Sequence, residues 1–393
     1  MNLHLLLLAL CQGLFLTNNV TFIAINGLVG LSLAPSAWMA TLPVTGYVAG
    51  GALCAGLVAR HQRNWGRKRA FQAGLCVAML SSALCAYAAS THNFWLLVTA
   101  TVVAGYYNAN AGLYRFAATE LVTPVFKERA ISWVLAGGII GAVAGPNLAS
   151  ATRDVLPVPF AGAYAALIGV ALLALLMLSF IRFPALPVPS AAHPGRPLAE
   201  IARQPVFIVA VAACALAYGV MNLLMAATPI AMAQCSHPFS SAALVLEWHV
   251  LGMFIPSFFT GSLIRRFGCL PVMGVGVLLN AVCIAVALSG VDLMQFLIAL
   301  AMLGVGWNFL YIGGTTLFTE SYRPEEKTTA QAAMDTAVFT VMALSSVASG
   351  ALITTQGWTW LNLGSVLPVL AAGVAVLWLA RHRRVALSRV EST

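Results

Sequence analysis

Long apolar runs separated by short polar breaks are the feature that most constrains this chain. Runs of about 20 apolar residues recur along it, and that length matches the hydrocarbon core of a bilayer. Charged residues are 8 % of the sequence, compared with about 25 % in a typical soluble domain. We therefore expect a polytopic helical membrane protein. This excludes a soluble enzyme, and it excludes a β-barrel, whose strands alternate polar and apolar side chains.

Twelve membrane spans fit the length of the chain, so the expected fold is all-α with twelve transmembrane helices. Twelve helices of about 20 residues use roughly 240 positions, and the chain has 393. The predicted spans are residues 4–30, 35–59, 69–90, 93–120, 129–152, 156–181, 204–233, 239–264, 270–290, 292–318, 328–353 and 358–380.

The longest polar interruption follows the sixth span and divides the chain into two halves. The expected organisation is an N-terminal six-helix half at 1–183, a cytoplasmic linker at 184–203, a C-terminal six-helix half at 204–380 and a cytoplasmic tail at 381–393. A weak internal repeat supports this division, because Gly66 and Gly268 occur in similar basic loops after the second and eighth spans. Duplicated halves with a site near the midplane are an architecture of secondary transporters.

The distribution of positive charge predicts the orientation of the chain. If both termini are cytoplasmic, 18 of the 20 Lys and Arg residues lie in cytoplasmic loops or the tail. The two exceptions are Arg115 inside a span and Arg153 on the outer side. Cytoplasmic loops collect Lys and Arg, so both termini are expected in the cytoplasm. The net charge of +9 is explained by these loops, and no nucleic-acid partner is expected.

Two consecutive spans carry side chains that suit a soft metal ion. Met221 and Met225 lie four residues apart in span 7, and His249 and Met253 lie four apart in span 8. Each pair therefore shares a helix face, at about 12–21 Å below the outer surface. Thioether sulfur and imidazole suit Cu(I), whereas zinc usually takes thiolate, carboxylate or more His. Methionine is also a common filler of helical cores, so simple packing is the alternative.

Two cysteines extend the same path. Cys235 lies in the short outer loop between spans 7 and 8, where it could capture arriving copper. Cys214 lies seven residues before Met221 and shares its helix face nearer the cytoplasm. For both cysteines ordinary packing is the alternative, since buried thiols behave as small apolar groups.

The loop after span 8 resembles the Gly-x-x-x-Asp-Arg-x-Gly-x-Arg/Lys pattern of the major facilitator superfamily. The matching residues are Gly261, Arg266 and Gly268 in the second half and Asn64, Gly66 and Lys68 in the first. Arg63 and Arg265 stand where the pattern has its acidic residue. The resemblance covers the whole chain and implies an alternating-access transporter.

Within that superfamily, the set Met221, Met225, His249 and Met253 resembles the signature of the CcoA-like copper importers. This resemblance implies copper uptake across the bacterial inner membrane to supply haem–copper oxidase assembly. It also implies a cytoplasmic copper chaperone as a partner. Copper would be the transported substrate, with no resident cofactor.

Four ionisable residues in or near the spans are candidates for gating or proton coupling. They are Arg115, Glu120, Asp335 and Glu247. Charge inside a membrane is costly and marks functional positions by default. Arg115 is expected to pair with Glu120 or Asp335, to form an inner gate, or to snorkel to the surface. Asp335 is the candidate for a coupling proton, and Glu247 lies near the outer mouth.

The main prediction is therefore a monomeric secondary transporter in the lipid bilayer that imports copper. One alternative is a proton-coupled facilitator of a small organic solute or drug, in which the methionines line an adaptable pocket. Another is a membrane-bound assembly factor that hands copper to a partner without pumping it. The sequence has no P-loop, no HExxH and no Rossmann fingerprint, so no enzymatic activity is expected.

Overall fold

A computed structural model describes residues 2–123, 126–184, 195–323 and 326–391. Every regular element in these residues is helical, which confirms the all-α prediction. The helices are α1 (Leu3–Leu33), α2 (Leu42–Ser90), α3 (Phe94–Ala111), α4 (Tyr114–Ala118), α5 (Lys127–Ala136), α6 (Gly138–Thr152), α7 (Ala161–Ser179), α8 (Leu198–Ala202), α9 (Pro205–Gln234), α10 (Phe239–Phe254), α11 (Ser257–Phe267), α12 (Cys269–Ser289), α13 (Leu293–Phe318), α14 (Lys327–Thr355) and α15 (Gly357–Glu391). Residues 185–194 of the predicted linker lie outside the described residues.

Many of these helices are long and apolar enough to cross a membrane. Within the described ranges nine helices pass this test, and the bent pair α10–α11 makes up to ten when counted as one span. The polytopic membrane class is therefore confirmed. The count of twelve spans stays a prediction. The number of described helices that pass the test is lower than twelve partly because α2 is counted as one helix that covers most of two predicted spans, 35–59 and 69–90. The cytoplasmic position of both termini is likewise a prediction.

The repeated basic loops of the two halves form the same backbone turn. Gly66 interrupts α2 with φ 79° and ψ 165°, and Gly268 separates α11 from α12 with φ 89° and ψ 162°. A positive φ strains any residue with a Cβ, so glycine is the residue that fits both turns. The two loops that repeat in sequence therefore also share a backbone conformation.

Helices of the two halves pack against one another. Helices α1, α2 and α6 of the first half pack against α9, α10 and α14 of the second. We call the end that carries the two glycine turns the basic end, and the opposite end the far end. The orientation predicted from charge makes the basic end cytoplasmic.

Hydrogen bonds between the halves close the far end. The Thr41 hydroxyl donates to the main-chain oxygen of Ser346 at 2.5 Å and accepts from the Gly350 N–H at 3.0 Å. Thr45 Oγ1 donates to Ser346 Oγ at 2.9 Å. The two halves are therefore joined by hydrogen bonds at the far end.

Candidate functional site

Three aromatic side chains form a cluster between α9 and α13. The rings of Trp307 and Tyr311 stack with centroids 5.0 Å apart and an angle of 14°. Tyr218 meets both rings edge-on, with centroid distances of 5.0 Å to Trp307 and 4.9 Å to Tyr311. Trp307 and Tyr311 are one helical turn apart on α13, so their side chains lie on one face. We call these three residues the aromatic cluster.

A cation from the first half and an acid from the second lie beside the aromatic cluster. Arg115, on α4, interacts electrostatically with Tyr218, Tyr311 and Asp335. Asp335, on α14, has an exposed side chain. The structure thus brings together Arg115 and Asp335, two of the residues singled out in the sequence. Because Arg115 belongs to one half and the other residues to the second, the site lies between the halves.

Two buried N–H groups at this site lack a hydrogen-bond partner among the described residues. They are Trp307 Nε1 and Arg115 Nε. Leaving a buried donor without a partner costs about 1–3 kcal/mol. A water molecule or a solute with acceptor atoms would remove that cost. The site therefore combines flat apolar surfaces with free donors, which is the usual composition of a small-molecule pocket.

Glu120 is engaged elsewhere, at the basic end. Its carboxylate pairs with Arg67 just after the Gly66 turn, with Arg67 Nη2 2.7 Å from Glu120 Oε1. Arg67 also donates to the amide oxygen of Gln62 at 3.2 Å. The arrangement holds the end of α4 against the α2 turn.

Glu247 lies at the contact between the halves, towards the far end. Its carboxylate accepts a hydrogen bond of 2.8 Å from the amide of Asn147. Glu247 is on α10 and Asn147 on α6, so this bond joins the two halves. The structure therefore places Glu247 among the groups that close the far end.

The four candidate metal ligands of α9 and α10 are buried in the second half. Met221, Met225 and Met253 are buried, and His249 is fully enclosed. His249 Nδ1 donates to the Leu300 carbonyl of α13 at 2.8 Å, and its Nε2 has no partner among the described residues. The imidazole thus ties α10 to α13.

The two candidate cysteines have different surroundings. Cys214 is buried against α13, with its Sγ 3.7 Å from the Tyr311 carbonyl and 3.9 Å from Thr315 Oγ1. Cys235 caps the end of α9 and is partly exposed. In the part of the chain that the structure describes, no group of three or more His, Cys, Asp and Glu side chains could hold a metal ion.

Sequence reasoning missed two members of the aromatic cluster. Tyr218 and Tyr311 are not among the candidate residues of the sequence analysis. The available signal was the pair Trp307-x-x-x-Tyr311, which places two large aromatic rings on one face of an apolar helix. The position of Tyr218 opposite them depends on how α9 packs against α13.

Comparison with proteins of known sequence identifies relatives along nearly the whole chain. A riboflavin transporter, RfnT of Brucella anthropi, is 39 % identical over 371 residues, which are 94 % of this chain and 93 % of the relative. An uncharacterised transporter of Bacillus subtilis, YddS, is 28 % identical over 92 % of this chain and 87 % of its own.

Three solved structures that share this fold are named as transporters of organic solutes. A nucleoside transporter, NupG, superposes with a TM-score of 0.76 at 13 % identity, covering 96 % of this chain and 99 % of its own. A D-xylose–proton symporter superposes with a TM-score of 0.74 at 16 % identity, and the match covers 94 % of this chain and 96 % of the symporter. The human organic anion transporter MFSD10 superposes with a TM-score of 0.67 at 15 % identity, and the match covers 95 % of this chain and 99 % of MFSD10. At these identities the likeness concerns the fold.

The prediction of copper import is wrong. The named relative is a riboflavin transporter, and the structural neighbours are named for organic anions, xylose and nucleosides. The physical reason for the error is that a four-residue spacing places two side chains on one helix face, and a face that only packs has the same spacing. The copper chaperone and the resemblance to CcoA-like importers lose their support with it. The assignment of the six candidate residues as metal ligands is tested by neither the structure nor these comparisons and stays a prediction.

A family profile covers both halves of the chain. The profile described as Major Facilitator Superfamily matches residues 5–246 and 212–392. Its members are membrane transporters, so this chain is a transporter and not an enzyme. It is a multi-pass protein of the bacterial inner membrane, as expected from the apolar spans. The chain belongs to the major facilitator superfamily.

Proposed function

We propose that this protein is a secondary transporter of a planar aromatic solute, with riboflavin as the first candidate. The single observation that carries the proposal is the 39 % identity to a riboflavin transporter along almost the full length of both chains. The aromatic cluster supports it independently. Its stacked rings offer the kind of flat surface that a fused-ring solute needs.

Stacking would hold the ring system of the solute. The isoalloxazine group of riboflavin is a flat, three-ring aromatic system. Aromatic pairs in stacked or edge-on geometry contribute about 0.5–1.5 kcal/mol each beyond the burial of their area. Trp307 and Tyr311 present parallel rings, and Tyr218 presents an edge-on partner. A solute ring replacing or extending this stack would meet both kinds of contact.

The free donors would orient the solute. The pyrimidine end of isoalloxazine carries two carbonyl oxygens and the ring nitrogen N1, which accept hydrogen bonds, and an N3–H group, which donates one. Trp307 Nε1 and Arg115 Nε are buried donors without partners among the described residues. A solute with acceptors along one edge would satisfy them, whereas a hydrocarbon of the same shape would leave them unpaired. This favours heteroaromatic solutes over purely apolar ones.

Alternating access would move the solute between the two sides of the membrane. Arg115 belongs to the first half and the aromatic cluster to the second. A solute that contacts both would therefore draw the halves together, and rocking of the halves would expose the site to each side in turn. Asp335 is the candidate for a coupling proton, because it is an exposed carboxyl group close to Arg115 within a membrane span.

Growth of a riboflavin-auxotrophic bacterium that lacks its own uptake system tests the proposal. We expect expression of this chain to support growth at low external riboflavin. Asp335→Asn should abolish that growth if proton coupling drives uptake. Asp154→Asn is the matched control, because Asp154 is an exposed acid that pairs only with Arg153 at the far end among the described residues. Absence of growth with well-expressed wild-type protein would refute riboflavin uptake.

A further inference from the structure

The long helix that begins at Phe239 is broken near its middle. α10 ends at Phe254, α11 begins at Ser257, and the two segments are bent by 41°. Pro256 lies in the break and has no N–H to donate to the preceding turn. After it, the N–H of Phe258 donates to Ile255 and that of Phe259 to Pro256, each three residues back. The regular main-chain ladder is therefore interrupted here.

One side chain from another helix bridges the break. Asn308 of α13 is fully buried. Its amide nitrogen donates to the Met253 carbonyl on the α10 side and to Ser257 Oγ on the α11 side, both at 2.7 Å. Its amide oxygen accepts from Thr260 Oγ1, also at 2.7 Å. Main-chain carbonyls buried in a membrane need a partner, and Asn308 supplies one at the point of the break.

We propose that Asn308 is a positioning residue that locks the bend between α10 and α11 and makes α11 move together with α13. Asn308 follows Trp307 directly, so the bridge is adjacent to the aromatic cluster. A shift of α13 on binding a solute is transmitted through Asn308 to α11. α11 ends in Arg265 and Arg266 before the Gly268 turn. Movement of α11 therefore shifts the basic end of the second half when a solute binds at the aromatic cluster.

This proposal concerns the motion of the second half and holds for any transported solute. It can therefore be tested without transport. Three glycines offer places for spin labels, because a Cβ at Gly56, Gly261 or Gly274 would meet no atom of a neighbouring helix within 4 Å among the described residues. Gly56 is on α2, Gly261 on α11 and Gly274 on α12. The eight native cysteines are first replaced in a background that retains its thermal unfolding temperature.

The experiment compares two distances by double electron–electron resonance. The Gly56→Cys/Gly261→Cys pair reports α11 relative to the first half. The Gly56→Cys/Gly274→Cys pair reports the neighbouring helix α12 and serves as the internal control. We expect Asn308→Ala to broaden the first distribution and to add a population displaced by several ångströms. The second distribution should stay unchanged.

Asn280→Ala is the matched variant. Asn280 is also a buried asparagine of the second half, but its amide donates to Gly276 within its own helix at 3.0 Å. It should leave both distributions unchanged. If Asn308→Ala does not fold, the pair Ser257→Ala/Thr260→Val removes the bonds on the α11 side and should broaden the first distribution alone. An unchanged first distribution, or equal broadening of both, would overturn the proposal.

Discussion

In the first half, α2 runs unbroken from Leu42 to the kink at Gly66 and packs against α3. In the second half, the corresponding helix is split into α10 and α11 and packs against α13. Asn108 and Asn308 stand 200 positions apart on the partner helices. Only Asn308 has a break to bridge, and it is buried, whereas Asn108 is partly exposed. The repeated helix is therefore broken in the second half and continuous up to its glycine turn in the first.

The halves also contribute unequally to the candidate site. The second half supplies the aromatic cluster and Asp335, and the first half supplies Arg115. One half therefore offers the surface on which a solute would stack, and the other a single charged contact. This asymmetry predicts that variants of the two halves will affect solute binding to different extents.

The largest effect on binding is expected from the second half. Trp307→Ala should weaken riboflavin binding by about 30-fold, because loss of the stacked ring and its donor is worth roughly 2 kcal/mol. Trp307→Phe keeps a ring and removes the N–H, so a loss of about 1 kcal/mol, or fivefold, is expected. Fluorescence titration of purified protein measures both. Equal losses for the two variants would show that the ring surface does not contribute.

A smaller effect is expected from Arg115 of the first half. Arg115→Gln should weaken riboflavin binding by about tenfold, because a hydrogen bond from a charged donor contributes about 1.5 kcal/mol. The same titration measures it. Arg153→Gln, at an exposed arginine near the far end, should leave binding unchanged. A larger loss for Arg115→Gln than for Trp307→Ala would reverse the assignment of roles to the two halves.

The two halves also differ in the ion pairs that they form at the basic end. In the first half, Arg67 follows the glycine turn and pairs with Glu120. In the second half Cys269 follows the turn, and Glu320 pairs with Arg383 of α15 instead. A further acid, Glu326, accepts hydrogen bonds from Arg196 and Arg323, which lie outside the long helices.

Glu326 is buried and receives several charge-assisted bonds. Arg196, in the predicted linker, donates from Nε to Oε1 and from Nη2 to Oε2, both at 2.8 Å. The main-chain N–H groups of Arg196 and Arg323 donate to it at 2.9 Å. The hydrogen bonds from the Arg196 side chain hold the pKa of Glu326 well below its usual range. Glu326 thus binds Arg196, which precedes α8, through a carboxylate that stays ionised.

Glu326→Gln should therefore lower the thermal unfolding temperature by several degrees at neutral pH. Glu320→Gln, which breaks a half-exposed pair, should change it by no more than about 1 °C. The pKa of Glu326 is lowered by folding, so its contribution is present above its unfolded pKa of about 4 and fades as pH falls below it. Unfolding of detergent-solubilised protein from neutral to acid pH measures this. A difference between wild type and Glu326→Gln that grows on acidification would contradict the assignment.

The smallest effect is expected from the asparagine of the continuous half. Asn108→Ala should leave the distance between labels at Gly56 and Gly261 unchanged, whereas Asn308→Ala should broaden it, because α2 has no break beside Asn108. Broadening of similar size in both variants would mean that the helix break does not decide the outcome. The spin-label measurement described above applies without modification.

The fold class followed from the sequence because burial in a bilayer leaves an unmistakable pattern of apolar runs. The turns at Gly66 and Gly268 were likewise visible as a repeat. The site was not, because its parts come from α4, α9, α13 and α14, and periodicity on one helix says nothing about which face meets which partner. Met221 and His249 were selected for their spacing, their ligand chemistry and a family resemblance, none of which shows what a side chain contacts, and in the structure His249 bonds the Leu300 carbonyl of α13.

Riboflavin uptake into proteoliposomes that contain only this protein tests the proposed solute and site together. Purified wild type should take up riboflavin in a saturable manner, and Trp307→Ala should lose most of that uptake while reconstituting in equal amount. Wild-type vesicles that take up no more riboflavin than empty ones would contradict the proposed solute. Undiminished uptake by Trp307→Ala would contradict the proposed site.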